Sequence, residues 1–250
     1  MGGGGFTMQE RCPALDRLVL SLTGKPVPRV CFLPTASGDG REQTTRFFER
    51  YAAWPCEPSV LALFRLGSDR IDPRTHLLAQ DAIYVGGGSM RNMLAVWREH
   101  GVDAAMRAAW ERGIVLAGLS AGAMCWFAGG ITMSGGAPQP VAGLGLVPGS
   151  MSVHRDSETK RLPVFRAAVV SGELPAGYAV DDRAALLIEG RRVTACVASR
   201  PGAGASEVMP DGERALPVRL LPGAEGEEGP LEDAGVSELR ALRAGRHRWD

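Results

Sequence analysis

The residues best suited to chemistry are Ser120, His154 and a few aspartates, in that chain order. Ser120 is the centre of Gly118-Leu119-Ser120-Ala121-Gly122, which follows the apolar run Ile114-Val115-Leu116-Ala117 and precedes Ala, Met, Cys, Trp and Phe residues. That composition reads as strand, tight turn and buried helix, with G-x-S-x-G at the turn. The physical reason for the pattern is crowding: small flanking residues let strand and helix pass closely, and the turn lifts the serine Oγ above the sheet. The following N–H, that of Ala121, then points to where a substrate oxyanion would form. The plainer reading is a Gly/Ala-rich connection in which Ser120 only caps the helix.

A nucleophilic serine needs a base. His76 and His100 fall at polar helix or loop ends and His247 in the tail, as solvated groups would. His154 follows a short apolar run and leads a dense charged cluster, so it is the general-base candidate by elimination. In residues 178–188 two acids, Asp181 and Asp182, interrupt an apolar strand. Alternation puts them on opposite faces, so at most one can orient a histidine. The other possibility is a bend with solvated carboxylates.

Gly86-Gly87-Gly88-Ser89 ends another apolar strand ahead of a helical pattern. Such a run presents bare backbone N–H groups to an anion. It is neither G-x-G-x-x-G nor G-x-x-x-x-G-K, so a nucleotide site is not expected. One of its N–H groups can serve as a second oxyanion donor; the alternative is a simple tight turn.

The elements that must hold these residues alternate. Helical patterns over 9–22, 41–53, 89–100 and 102–112 are interleaved with strand patterns over 29–34, 60–66, 81–88 and 114–117. This predicts an α/β fold, a parallel sheet with helices on both faces and its active crevice beyond the carboxyl ends of the strands. The loops 35–40, 86–89 and 118–122 would emerge together there. Residues 129–149, rich in Gly and Pro, read as an excursion outside the core, with a short strand at 143–147. Residues 187–198 read as a hairpin turning at Glu189-Gly190-Arg191. The four glycines after Met1 read either as a flexible tail or as a strand-end loop whose strand is lost or lies upstream. The expected organisation is one α/β domain over 1–200, with 201–250 as a peripheral hairpin and partly ordered tail.

The 250 residues carry a formal net charge of zero, which favours no nucleic-acid or polyanion partner. No apolar run approaches the ~20 residues of a membrane span. The five cysteines are scattered without a CxxC pair, as expected of reduced cytoplasmic thiols rather than a disulfide framework or zinc site. The partners expected are a short peptide substrate and, at most, a second copy of the chain as a homodimer. No metal or cofactor is expected.

Taken together, YVGGGS, GLSAGA and a downstream histidine followed by DD-x-AA make the chain, from Gly2 to about residue 200, resemble the serine peptidase family that contains dipeptidase E (α-aspartyl dipeptidase) and cyanophycinase. The resemblance implies a flavodoxin-like sheet related to the class I glutamine amidotransferase fold. It implies Ser120 as nucleophile, His154 as base, Asp182 as triad carboxylate, and the N–H groups of Gly88 (alternatively Gly87) and Ala121 as oxyanion hole. The order Ser, His, acid differs from the Ser, acid, His of α/β-hydrolases. Three departures stand out. Asp182 is shorter than the family's usual glutamate, which keeps Asp181 and Asp156 open as alternates. Lys160, with Arg161 beside it, stands where aspartyl dipeptidases have a substrate-binding arginine; Ser89 is a further substrate contact. An apolar strand before the first glycine run is missing. The activity implied is hydrolysis of short peptides, Asp-X dipeptides foremost. A cyanophycinase-like hydrolase of β-aspartyl-arginine, an acyltransferase or amidase, and a non-catalytic metabolite-binding protein are the competing readings.

Overall fold

The computed structural model describes residues 1–8 and 13–224. Its first half runs through helix α1 (Ala14–Ser21), strand β1 (Arg29–Leu33), α2 (Arg41–Tyr51), β2 (Glu57–Val60), α3 (Leu66–Asp69), α4 (Pro73–Leu78), β3 (Ala82–Val85), α5 (Met90–Glu99), α6 (Val102–Glu111) and β4 (Val115–Gly118). These strands form a parallel sheet in the order β2-β1-β3-β4. Every residue of β3 is buried, so both sheet faces need cover. Trp97, Met93 and Met106 of α5 and α6 cover one face. Phe47 and Tyr51 of α2 cover the other, together with Phe6, Phe32 and Tyr84. Phe6 packs edge-on against Phe32 and Tyr84 with ring centroids 5.1 Å away in each case, which pins the N-terminal segment to the sheet.

The second half contains α7 (Ala121–Met124), β5 (Phe127–Thr132), β6 (Gln139–Ala142), β7 (Val147–Val153), α8 (Arg161–Val170), β8 (Gly177–Val180), β9 (Ala184–Glu189), β10 (Arg192–Ala198), β11 (Ala205–Met209), β12 (Gly212–Ala215) and β13 (Val218–Leu220). A six-stranded sheet runs β12-β11-β8-β7-β5-β6, and a three-stranded one runs β13-β10-β9. Between β4 and β9 lies an apolar groove of about 710 Å³, lined by Val115, Ala117, Trp126, Leu186 and Ile188 among others. Beyond β4, no described strand extends the first sheet.

The fold is the expected flavodoxin-like α/β architecture, with local corrections. The second strand is 57–60 rather than 60–66: pairing with β1 ends at Phe32↔Val60, and the chain leaves the sheet through a 3-10 turn at Leu63–Arg65. Residues 129–149 are not an excursion, because they supply β5, β6 and the start of β7. Glycine reads as loop there but is needed for close backbone approach: a Cβ on Gly130 would lie 2.4 Å from Met151 O. The 143–147 segment forms no strand of its own; β7 begins at Val147. The apolar stretch after Ser120 is helical for only one turn before it becomes β5. The 178–188 segment is two strands in different sheets, parted where Arg183 adopts φ +64°. The hairpin over 187–198 forms as β9–β10. Beyond residue 200, β11 pairs with β8, and the β11–β12 hairpin makes the sheet edge. His247 and residues 225–250 lie outside the described residues.

Candidate active site

The elbow forms because two glycines allow it. A Cβ on Gly118 would sit 2.1 Å from Gly122 O, and one on Gly122 would sit 2.3 Å from Val85 O. A larger residue at Gly118 would push α7 away from β4, and one at Gly122 would push it away from the end of β3. Between the two glycines Ser120 is held at φ +51°, ψ −117°, a conformation rarely taken outside glycine. Its side chain makes no helix cap, so the capping alternative falls away. Instead Ser120 Oγ lies 2.9 Å from His154 Nε2, and His154 Nδ1 lies 2.5 Å from Asp182 Oδ1. With the proton on Nδ1 donated to the carboxylate, Nε2 is free to accept the serine O–H. All three side chains are buried, with His154 4% and Asp182 3% exposed.

The three aspartates left open by the sequence have separate partners. Asp182 alone reaches the imidazole. Asp181 is gripped by both Nε and Nη2 of Arg155, at 2.6 and 2.7 Å. Asp156 accepts the backbone N–H of Asp182 at 2.8 Å and pairs with Arg200 at 2.9 Å. Successive residues of the turn after β7 therefore reach across to the turn after β8. His154 itself is at φ +57°, and Arg183 just after Asp182 is at φ +64°. Of the five non-glycine residues with positive φ among those described, three are thus Ser120, His154 and the neighbour of Asp182. Backbone strain collects where the site is.

The glycine loops converge as expected. Ser89 N donates to Ala36 O at 2.7 Å, tying the 86–89 loop to the loop after β1. A Cβ on Gly87 would lie 3.3 Å from that of Ser120. Among the described residues, the N–H groups of Gly87, Gly88 and Ala121 have no acceptor, so all three are available to an oxyanion. Gly88 must be glycine: φ is +140°, and a Cβ would meet Ala36 O at 2.1 Å. Ser89 caps α5 by accepting from Asn92 N, and its hydroxyl donates to Ser134.

Lys160 is exposed at the start of α8. Arg161 is 4% exposed, ion-paired with Glu158, and donates to Ile131 O at 2.8 Å. His100 is exposed; His76 is half-buried against Ser59 rather than freely solvated, and burial lowers its pKa.

Sequence reasoning missed two contributors. Ser157, three residues after His154, donates to Asp182 Oδ2 at 2.6 Å. The N-terminal glycines are not a flexible tail, since Gly2 to Gly5 are buried. Ser120 N donates to Met1 O and Gly2 O at 3.1 Å each, and Arg183 N donates to Gly3 O at 2.9 Å. A Cβ on Gly3 would lie 2.4 Å from Asp182 Oδ1 and 3.1 Å from His154 Cε1. Glycine there lets backbone wedge between elbow and acid; the run itself was the signal.

A strained serine on a strand-to-helix elbow, aligned with histidine and aspartate over a parallel sheet, defines a serine-hydrolase type of site. The model of peptidase family S51 matches residues 1–196, and the chain belongs to that family. It is 42% identical over 225 residues to the uncharacterized peptidase YgaJ of Bacillus subtilis (strain 168), covering 88% of this chain and 97% of that protein. Among solved structures, a peptidase from an acI-B1 Actinobacterium superposes with a TM-score of 0.67 at 20% identity, over 87% of this chain and 92% of its own. A putative peptidase E protein from Listeria monocytogenes EGD-e gives 0.54 at 20% identity, over 71% and 90%. The chain is a peptidase of a serine peptidase family. Among the described residues no helix is long and apolar enough to cross a membrane.

Proposed function

We propose that the chain hydrolyses short peptides, Asp-X dipeptides foremost, through an acyl-enzyme on Ser120. The observation that carries this reading is the continuous line Ser120 Oγ, His154 Nε2, His154 Nδ1, Asp182 Oδ1, at 2.9 and 2.5 Å. His154 takes the hydroxyl proton as Oγ attacks the scissile carbonyl. The oxyanion is received by the N–H groups of Ala121 and Gly88 or Gly87, each such donor being worth about 3 kcal/mol. Asp182 fixes the imidazole tautomer and balances the imidazolium. His154 then protonates the leaving amine, and water, deprotonated by the same imidazole, releases the acid.

Preference for an acidic first residue rests on Lys160 and Arg161. Lys160 is unpaired with any acid among the described residues, whereas a substrate carboxylate reaching Arg161 must displace Glu158. A lysine offers a point charge rather than a fork, which makes for weaker selection between Asp and Glu. A cytoplasmic location is part of the same reading, because Cys31, Cys56, Cys125 and Cys196 are all free thiols.

The test is amine release from Asp-X, Glu-X, Ala-X and β-Asp-Arg dipeptides, with Ser120→Ala as blank. Ser120-dependent release from Asp-X above the others is the expected result. Release from β-Asp-Arg alone would transfer the chain to the cyanophycinase-like reading. No Ser120-dependent release from any peptide would overturn the proposal in favour of a binding protein.

A further inference from the structure

A triad carboxylate has two oxygens, and only one can face the histidine. Here Oδ1 of Asp182 does so, while Oδ2 accepts the Ser157 hydroxyl at 2.6 Å. Ser157 is itself an exposed residue. Its hydroxyl could be satisfied by water, yet it turns inward to a carboxylate that is 3% exposed. The surrounding geometry makes this contact a built one. Glu158 N and Ser157 N both donate to His154 O, at 2.7 and 3.2 Å, so the histidine and the serine are two ends of one closed turn. The other charged groups nearby are already engaged: Arg155 with Asp181, Arg200 with Asp156, Arg161 with Glu158. On the far side Gly3 backbone closes against Asp182 and leaves no room for a side chain.

We infer that Ser157 is a positioning residue of this site: it holds the carboxylate of Asp182 at the rotation that aims Oδ1 at His154 Nδ1. The inference rests on the serine-nucleophile reading of Ser120 for its kinetic consequence, but not for its structural one. The last torsion of an aspartate is soft, so its carboxylate plane is set by what each oxygen meets. Without the Ser157 hydroxyl, Oδ2 loses a donor and the carboxylate is oriented less strictly, so the imidazole tautomer is less firmly fixed and Nε2 is less often ready to accept the Ser120 proton. A charge-assisted hydrogen bond of this kind corresponds to about a tenfold or larger effect when deleted.

The variants to make are Ser157→Ala and Ser157→Thr. The first readout needs no substrate: the low-field proton NMR signal of the His154 Nδ1–H, assigned by its loss in His154→Gln. Ser157→Ala should shift or broaden that signal, and Ser157→Thr, which restores a hydroxyl, should return it. The second readout is kinetic. Ser157→Ala should lower kcat about tenfold with KM unchanged, Ser157→Thr should recover it, and Ser157→Ala should add nothing in an Asp182→Asn background. A Ser157→Ala protein with wild-type signal and wild-type kcat would overturn the inference. So would a lowered melting temperature with both readouts unchanged, since that is what a merely structural serine would give. If the wild type proves to have no Ser120-dependent activity, the functional reading fails while the NMR comparison still decides the role of Ser157.

Discussion

The nucleophile and its base are held in place by opposite means. The elbow around Ser120 is a backbone device: Gly118 and Gly122 let carbonyl oxygens approach to distances that a single methyl would forbid. The His154–Asp182 limb is a side-chain device, a row of four consecutive residues, His154 to Ser157, each bonded to Asp181 or Asp182. The first tolerates no added atom and contains no charge. The second is dense in charge, and its geometry depends on which carboxylate meets which donor. Steric devices fail by losing the fold, whereas hydrogen-bonded ones fail by losing alignment while the fold persists.

That contrast can be pressed with graded variants. The largest expected effect is Ser120→Ala, which should reduce turnover by about 10^4-fold or more while leaving the circular dichroism spectrum and melting temperature near wild type. Next is the aspartate pair. Asp182→Asn should cost about 10^4-fold in kcat, because the wrong imidazole tautomer is favoured, with little change in stability. Asp181→Asn should do the reverse: it removes the carboxylate that grips two nitrogens of Arg155 and should lower stability by about 2 kcal/mol, with kcat of the folded fraction within a few-fold of wild type. Equal kinetic losses in the two would erase the division of roles drawn between them. In the elbow, Gly122→Ala should destabilise by about 4 kcal/mol or prevent soluble expression, read by urea denaturation. A wild-type midpoint would show that the elbow is less tightly packed than these distances require.

A last effect, read only as a pH dependence, concerns the support beneath both devices. Asp16 is fully buried, and burial pushes its carboxyl up to about 7. It faces the N-terminal glycine loop, where a Cβ on Gly5 would lie 2.8 Å from its Oδ1. The folded chain holds this proton more tightly than the unfolded chain, whose aspartates release theirs near 4. This group therefore contributes most stability below about pH 4, and the contribution is lost as pH rises to about 7, then stays constant. Between pH 5 and pH 8 the loss from this group should be about 3 kcal/mol. Asp16→Asn should remove that loss, so that its stability difference between pH 5 and pH 8 departs from wild type by the same amount, the opposite contribution of the buried Met1 amine being common to both proteins; an unchanged difference would assign the pH dependence elsewhere.

The same contrast explains what the sequence discloses. G-x-S-x-G and the glycine run before α5 are legible because a steric device must be written locally, as small residues at fixed spacing. The alternation that gives β1, β3 and β4 is legible for the same reason. The partner of His154 is legible only through the family resemblance, which points to Asp182, because 28 residues separate the two and strand alternation cannot distinguish Asp181 from Asp182 once the chain turns at Arg183. Ser157 carries no signature at all until the two turns are seen face to face. Glycine misleads in both directions: in β5 it looks like a loop and is a close-packed strand, and after Met1 it invites the idea of a loose tail and is a buried wedge.

The measurement that bears most directly on the site is covalent labelling of the whole chain by a fluorophosphonate, followed by intact mass and peptide mapping. One adduct per chain is expected, on Ser120, absent in Ser120→Ala and formed at least about 100-fold more slowly in His154→Gln, where the general base is gone. A folded wild-type chain that takes up no label, or a Ser120→Ala chain labelled as fast as wild type, would contradict the assignment of Ser120.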